Sequence, residues 1–195
     1  MNIQSAVIEG TNVLKNKSIP SAQLDTEILM AKALGKNREY IILNNDKVLN
    51  IENLEHFKKL VQERARRKPI AYLLNKKFFW NNEFYVNKNS LIPRPDTEII
   101  IEQVLKLTKN KNKLSVLDIG VGSGCILLTI LKERKNFYGT GIDISKNSLS
   151  ICKKNAKNLL LEGRSKFYKS DVDKFNLGKY DLIVSNPPYI KRCDL

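Results

Sequence analysis

The chain has 195 residues, 42% of them hydrophobic, which leaves room for one ordinary domain and a small one, each with a packed core. Its three cysteines, Cys125, Cys152 and Cys193, are far apart and form no C-x-x-C pair, and its one histidine is His56, so composition argues against a disulfide framework, a metal site and His-based catalysis. The formal net charge of +14 suits either a phosphate-bearing partner or a solvated Lys-rich surface, with Arg64-Ala65-Arg66-Arg67-Lys68 the tightest basic run.

The start, Met1-Asn2-Ile3-Gln4-Ser5, shows no basic region followed by an apolar one. No stretch approaches the roughly 20 apolar residues that cross a bilayer, and the expectation is a cytoplasmic protein without membrane contact. Pro20 and Gly35 bracket a helix with Leu24, Ile28, Ala31 and Leu34 on its apolar face. A short helical piece follows around Tyr40 to Leu43. A longer helix runs from about Ile51, with Leu54, Phe57, Leu60 and Val61 as its stripe and Pro69 as its stop. Residues 1–69 therefore read as a small helical domain. Over 70–95 the pattern turns aromatic and β-branched, Phe78-Phe79-Trp80 and Phe84-Tyr85-Val86 around Asn81-Asn82, which predicts a β-hairpin linker. Asp96 then caps a helix with Ile100, Val104 and Leu107. From Leu114 strands and helices alternate: 114–119, a helix from about Gly124, 138–143, a helix from about Lys146, 166–169 and 180–185. Alternating βαβ units imply an α/β domain over 96–195, a parallel sheet with helices on both faces.

The first chemical constellation is Val116-Leu117-Asp118-Ile119-Gly120-Val121-Gly122-Ser123-Gly124, a buried strand running into a glycine-rich turn that opens a helix. Such a turn lets backbone approach a ligand and aims helix N-terminal amides at it. Asp143 ends the next strand about 20 residues on, where a carboxylate can accept from ribose hydroxyls. Together these point to an adenosine-containing cofactor. A dinucleotide fingerprint is G-x-G-x-x-G, but here Cys125 holds the place of the third glycine, and Asp118 would repel a pyrophosphate. The same carboxylate suits a ligand bearing an ammonium and a sulfonium. The spacing D-x-G-x-G-x-G resembles motif I of class I methyltransferases. Asp171, after the third strand, either accepts from an adenine amine or simply caps the next turn.

The second constellation is Asp181-Leu182-Ile183-Val184-Ser185-Asn186-Pro187-Pro188-Tyr189-Ile190. A buried strand ends at Asn186 and two prolines stop further pairing. An amide or aromatic amine nitrogen is a poor nucleophile because its lone pair is delocalised. Two acceptors, the Asn186 side-chain oxygen and the Pro187 carbonyl, can take both of its N–H bonds, orient it and stabilise the charge that it gains. Tyr189 offers a ring for the flat acceptor.

On these residues the chain resembles the HemK/PrmC family, the methyltransferases of the catalytic glutamine in peptide-chain release factors. The likeness extends to Leu91-Ile92-Pro93-Arg94-Pro95-Asp96-Thr97-Glu98, to Pro69-Ile70-Ala71-Tyr72 with Phe79-Trp80, and to the preceding helical domain. The resemblance implies a class I S-adenosylmethionine-dependent methyltransferase fold. It implies a cofactor site lined by Asp118, Gly120, Gly122, Gly124, Asp143, Asp171 and Asn186, and a substrate glutamine held by Asn186, Pro187, Pro188 and Tyr189, with Asn186, Pro187 and Tyr189 catalytic. The helical domain would engage the release factor. Adenine-N6 methyltransferases of DNA and RNA share the Asn-Pro-Pro-Tyr motif, so nucleic acid stands as the alternative substrate. The family's domain carries three more strands after that motif, whereas this sequence ends at Leu195. The expectation is a fragment, a truncated reading frame, or a sheet completed by a separate polypeptide. On its own such a chain would be a cofactor-binding fragment without competent catalysis, its strand 181–185 an apolar edge.

Overall fold

Asparagine side chains start several helices of the first 75 residues. Asn2 Oδ1 accepts from the Ser5 N–H at 2.9 Å and opens α1 (Ile3–Lys15). Asn37 does the same for α3 (Arg38–Leu43) and Asn50 for α4 (Ile51–Ala65). Between them lies α2 (Ala22–Leu34), closed by Gly35 at φ 62°. Pro69 ends the connection after α4 and begins a further short helix, α5 (Ile70–Leu74). The computed structural model describes residues 1–187, and the chain divides into two compact units, Met1–Asn75 and Lys76–Leu195.

In the first unit α1 is a helix that the apolar pattern did not announce. Its buried positions Ile3, Ala6, Gly10 and Leu14 include two residues too small to register as a stripe. Gly10 is small of necessity, because a Cβ there would stand 2.9 Å from both Phe57 and Thr26. The face expected for α2 is corrected. Leu24 is 45% exposed, while Ala22, Thr26, Leu29, Met30 and Ala33 are buried with Ala31. This helix contacts α1, α3, α4 and α5, so it is covered on most sides and shows no single apolar stripe. Its Asp25 meets Arg64 of α4 at 2.7 Å, both side chains largely buried.

The second unit begins with the hairpin β1 (Lys76–Phe79) and β2 (Asn82–Tyr85). The pairing Phe79↔Asn82 puts the two-residue turn at Trp80-Asn81, one position earlier than expected, with φ of 47° and 59°. Positive φ at both positions matches the right-handed twist of the strands. Trp80 is held there by its backbone N–H on Glu98 Oε1 and its indole N–H on Glu133 Oε1, both at 3.0 Å. Phe79 and Phe84 enter the core of this unit. Asp96 does not cap the next helix: a 3-10 turn, Pro95–Thr97, intervenes, and α6 (Glu98–Leu107) buries Ile101 and Val104, leaving Leu107 72% exposed.

The remaining elements are β3 (Ser115–Ile119), α7 (Cys125–Glu133), β4 (Tyr138–Asp143), α8 (Lys146–Asn158), β5 (Ser165–Lys169) and β6 (Leu182–Ser185). Among the described residues they form a parallel four-stranded sheet, order β5-β4-β3-β6. The register aligns Val116, Gly139 and Leu182, so these point to one face, where α6, α7 and α8 join a single core cluster. Helices on both faces were expected; the described ones cover one. On the other face Leu117 and Ile142 are buried but Ile183 is 59% exposed. Val184, on the helix side, is buried, so the apolar run of β6 is half covered. No helix among the described residues is long and apolar enough to cross a membrane.

Candidate functional site

The parallel order brings the carboxyl ends of β5, β4, β3 and β6 side by side, and Asp171, Asp143, the loop 120–124 and Asn186 follow those ends in that sequence. Outside the carboxyl ends of such strands, loops can converge on a ligand while their backbone remains anchored in the sheet. The loop after β3 is fastened to β4: the N–H groups of Gly120 and Val121 both donate to the Ile142 carbonyl at 2.9 Å. Gly120, Gly122 and Gly124 have φ of 75°, 55° and 83°, left-handed values that L side chains resist.

These glycines differ in what surrounds them. A Cβ on Gly120 would meet nothing within 4 Å, and one on Gly122 only the Gly120 carbonyl oxygen at 3.8 Å, so bare backbone faces open space there. A Cβ on Gly124 would stand 2.6 Å from Cys152 Sγ and 2.8 Å from Leu128. That glycine lets the start of α7 close onto α8.

The acidic residues are engaged. Asp118 is 1% exposed and its Oδ2 accepts from the Leu127 N–H at 3.2 Å, so it caps the first turn of α7 from beneath the loop. Burial pushes its carboxyl up to about 7, the Asp143 charge adds to the rise, and the Leu127 N–H opposes it. Asp143 is half-buried and bridges two loops, accepting from Gly122 N–H at 3.0 Å on one oxygen and Ser145 N–H at 2.8 Å on the other. Asp171 is exposed and accepts from the Asp173 N–H at 3.3 Å, capping the 3-10 turn Val172–Lys174.

At the end of β6 the register Ile119↔Ser185 brings Asn186 level with Gly120. The Ser185 hydroxyl donates to the Ile119 carbonyl at 2.9 Å, and Asn186 Nδ2 donates to Thr97 Oγ1 at 3.2 Å. Pro187 follows, exposed; Pro188 and Tyr189 lie outside the described residues. Burial pushes the Cys125 thiol up to about 12, so it is no nucleophile at neutral pH. Among the described residues no group of three or more His, Cys, Asp or Glu could hold a metal.

Sequence reasoning missed Asn155 of α8. Its side chain is fully buried: Oδ1 accepts from the Tyr85 N–H at 2.7 Å, and Nδ2 donates to the Tyr85 carbonyl at 3.0 Å and the Ser123 carbonyl at 2.8 Å. The available signal was an Asn in phase with Leu149, Cys152 and Ala156 on the core side of the helix. The basic run is tied into the first unit itself. Arg64 meets Asp25, Arg67 donates to the Lys17 carbonyl at 2.7 Å, and Arg66 and Lys68 both meet Glu63.

Residues 5–74 match the PrmC N-terminal domain family and residues 96–194 the methyltransferase small domain family. The second unit is thus a methyltransferase α/β domain. The release factor glutamine methyltransferase of Leptospira interrogans serogroup Icterohaemorrhagiae serovar Lai is 42% identical over 185 residues, covering 93% of this chain and 65% of that protein. That of Buchnera aphidicola subsp. Baizongia pistaciae is 42% identical, covering 92% and 64%. The relative from Clostridium botulinum strain Hall is 39% identical over 194 residues, covering 98% and 69%. The chain spans about two thirds of the length of these curated relatives. With two family matches in the order of its two units and this identity along nearly its whole length, the chain belongs to the release factor glutamine methyltransferase family.

Proposed function

We propose that this protein methylates the side-chain amide nitrogen (N5) of a glutamine in peptide-chain release factors, in the cytoplasm, with S-adenosylmethionine as methyl donor. The observation that carries the reading is the juxtaposition of Asn186 with the open backbone of Gly120 and Gly122 at the carboxyl ends of adjacent strands. A planar amide acceptor and a backbone-cradled cofactor would then meet at one place. Gly120 and Gly122 supply the cradle, Asp143 holds it by its two backbone contacts, and Asp171 stands after the next strand. Gly124 and Asp118 contribute from behind, by packing and by capping α7. When bound, the cofactor supplies an electrophilic methyl group on a sulfonium. Asn186 Oδ1 and the Pro187 carbonyl accept the two N–H bonds of the glutamine amide, turn its nitrogen toward that methyl group and stabilise the positive charge that develops. The surplus proton leaves to water, so no strong base is needed. Pro188 and Tyr189 complete the acceptor pocket in this reading.

The test is methyl transfer from labelled cofactor to release factor, with DNA and RNA as parallel acceptors. Label is expected in the release factor. Asn186→Ala should lower turnover by about 10²-fold or more and leave cofactor affinity nearly unchanged, because one of two acceptors is gone while the cradle is intact. Label in nucleic acid but not in release factor overturns the substrate assignment.

A further inference from the structure

The run Leu91 to Glu98 has as yet no part in the chemistry, although its closing residues touch the site. Thr97 ends the 3-10 turn Pro95–Thr97, is 7% exposed, and its Oγ1 accepts the hydrogen bond from Asn186 Nδ2 at 3.2 Å across 89 residues of sequence. We infer that Thr97 is a positioning residue for methyl transfer: its buried hydroxyl holds the Asn186 amide in place, with the amino group on Thr97 and Oδ1 left for the acceptor nitrogen. The inference rests on the proposed role of Asn186 as an acceptor clamp.

The physical argument is one of orientation. The two ends of an asparagine amide are nearly the same size, and half a turn about its last side-chain bond exchanges an acceptor for a donor. A clamp for an N–H bond works with oxygen presented and fails with the amino group presented, since two donors then face each other. Without a partner at one end, the two orientations differ little in energy. Thr97 supplies that partner from a fixed place; its hydroxyl can accept from the amino group or donate to the oxygen, so it holds the amide in place and the N–H of the acceptor then selects the oxygen-out orientation. Its own N–H donates to the Arg94 carbonyl at 3.1 Å, and the next residue, Glu98, accepts from the Trp80 N–H at 3.0 Å, which ties the segment to the hairpin turn. Burial keeps water from competing for the hydroxyl. On the other side of Asn186, the Ser185 hydroxyl on the Ile119 carbonyl holds the end of the strand. What is left for Thr97 is to keep the amide from swinging out of that place.

The experiment compares Thr97→Val, which keeps shape but loses the hydroxyl, with Thr97→Ser, which restores it, in the wild-type and Asn186→Ala backgrounds. Read-outs are kcat, the KM for release factor, S-adenosylmethionine affinity and melting temperature. Thr97→Val should lower kcat about 10-fold or more, with cofactor affinity and KM within about 2-fold of wild type, and Thr97→Ser should recover most of it. Combined with Asn186→Ala, Thr97→Val should cost no further turnover, because the amide that it holds is absent. A merely structural threonine would act in both backgrounds. Should Thr97→Val melt below the assay temperature, Thr97→Ala carries the same comparison. Wild-type kcat in the hydroxyl-free variant, or an equal loss in both backgrounds, overturns the inference. If the wild-type protein methylates nucleic acid and not release factor, the substrate reading fails, and the same comparison on the adenine acceptor decides for or against Thr97.

Discussion

Asp118 shows at the scale of one residue how the site is built under electrostatic tension. Its carboxylate sits at the end of a central strand, 1% exposed, with the Leu127 N–H on its Oδ2 and Asp143 adding like charge. The consequence for stability has a definite sign. Below the ordinary value of 3.8 the group is protonated in both folded and unfolded states. Between 3.8 and about 7 the folded protein retains a proton that the unfolded chain has lost, so this group lowers stability as pH rises through that window and adds no further slope above about 7. Asp118→Asn, which keeps an oxygen for Leu127, should remove that slope. Urea midpoints measured from pH 4.5 to 8 check it; a variant with the same pH dependence as wild type would show that the carboxyl is not raised by burial.

At the scale of elements, Asn155 joins three pieces that are distant in sequence: α8, the edge of β2, and the glycine loop through Ser123. Its side chain pairs with both the N–H and the carbonyl of Tyr85, as a neighbouring strand would, and so continues the hairpin's edge into the core. Replacing it by alanine takes this partner from the buried Ser123 carbonyl and from the part-buried N–H and carbonyl of Tyr85. Each unpaired group costs roughly 1–3 kcal/mol, with the part-buried Tyr85 groups at the low end, so Asn155→Ala should lose about 3–5 kcal/mol in urea denaturation, with weaker binding of S-adenosylmethionine as the loop loosens. A loss under about 1 kcal/mol would mean that water or side-chain shifts replace the clasp easily. The hairpin, expected as a linker between domains, thus contributes Phe79, Phe84 and this backbone pairing to the second unit.

At the scale of the whole molecule, the two units have separate hydrophobic clusters, one around Leu14, Leu29, Met30 and Phe57, the other around Leu127, Ile130 and Phe137. The first also has the buried Asp25–Arg64 pair across α2 and α4. Residues 1–75 expressed by themselves should therefore fold to a helical unit with a cooperative thermal transition, of the modest stability usual for a core of this size. Circular dichroism checks this: a broad, non-cooperative melt would show that the cluster needs the rest of the chain. The net charge of +14 loses much of its force as a sign of nucleic acid once its densest stretch is seen paired with Asp25, Glu63 and the Lys17 carbonyl.

The sequence by itself determined the parallel α/β unit, its glycine loop, and the placing of Asn186 and Pro187 at a strand end, because each is a local pattern. Strand runs, left-handed glycines and ring-locked prolines act within a few residues of themselves. It also carried the family resemblance that the matches over 5–74 and 96–194 bear out. Only the tertiary structure decided what long-range contact decides. The buried side of α2 depends on how many helices surround it, and α1 on a glycine fitted to Phe57 and Thr26. The turn at Trp80-Asn81 depends on register and on Glu98 and Glu133. The same holds for the division of labour at the site. Two glycines of the loop stand open and the third presses on Cys152, and Asp118 faces a helix end rather than open space. Thr97 meets Asn186 only because the sheet brings residues 89 apart within 3.2 Å, a distance that no reading of neighbours along the chain contains.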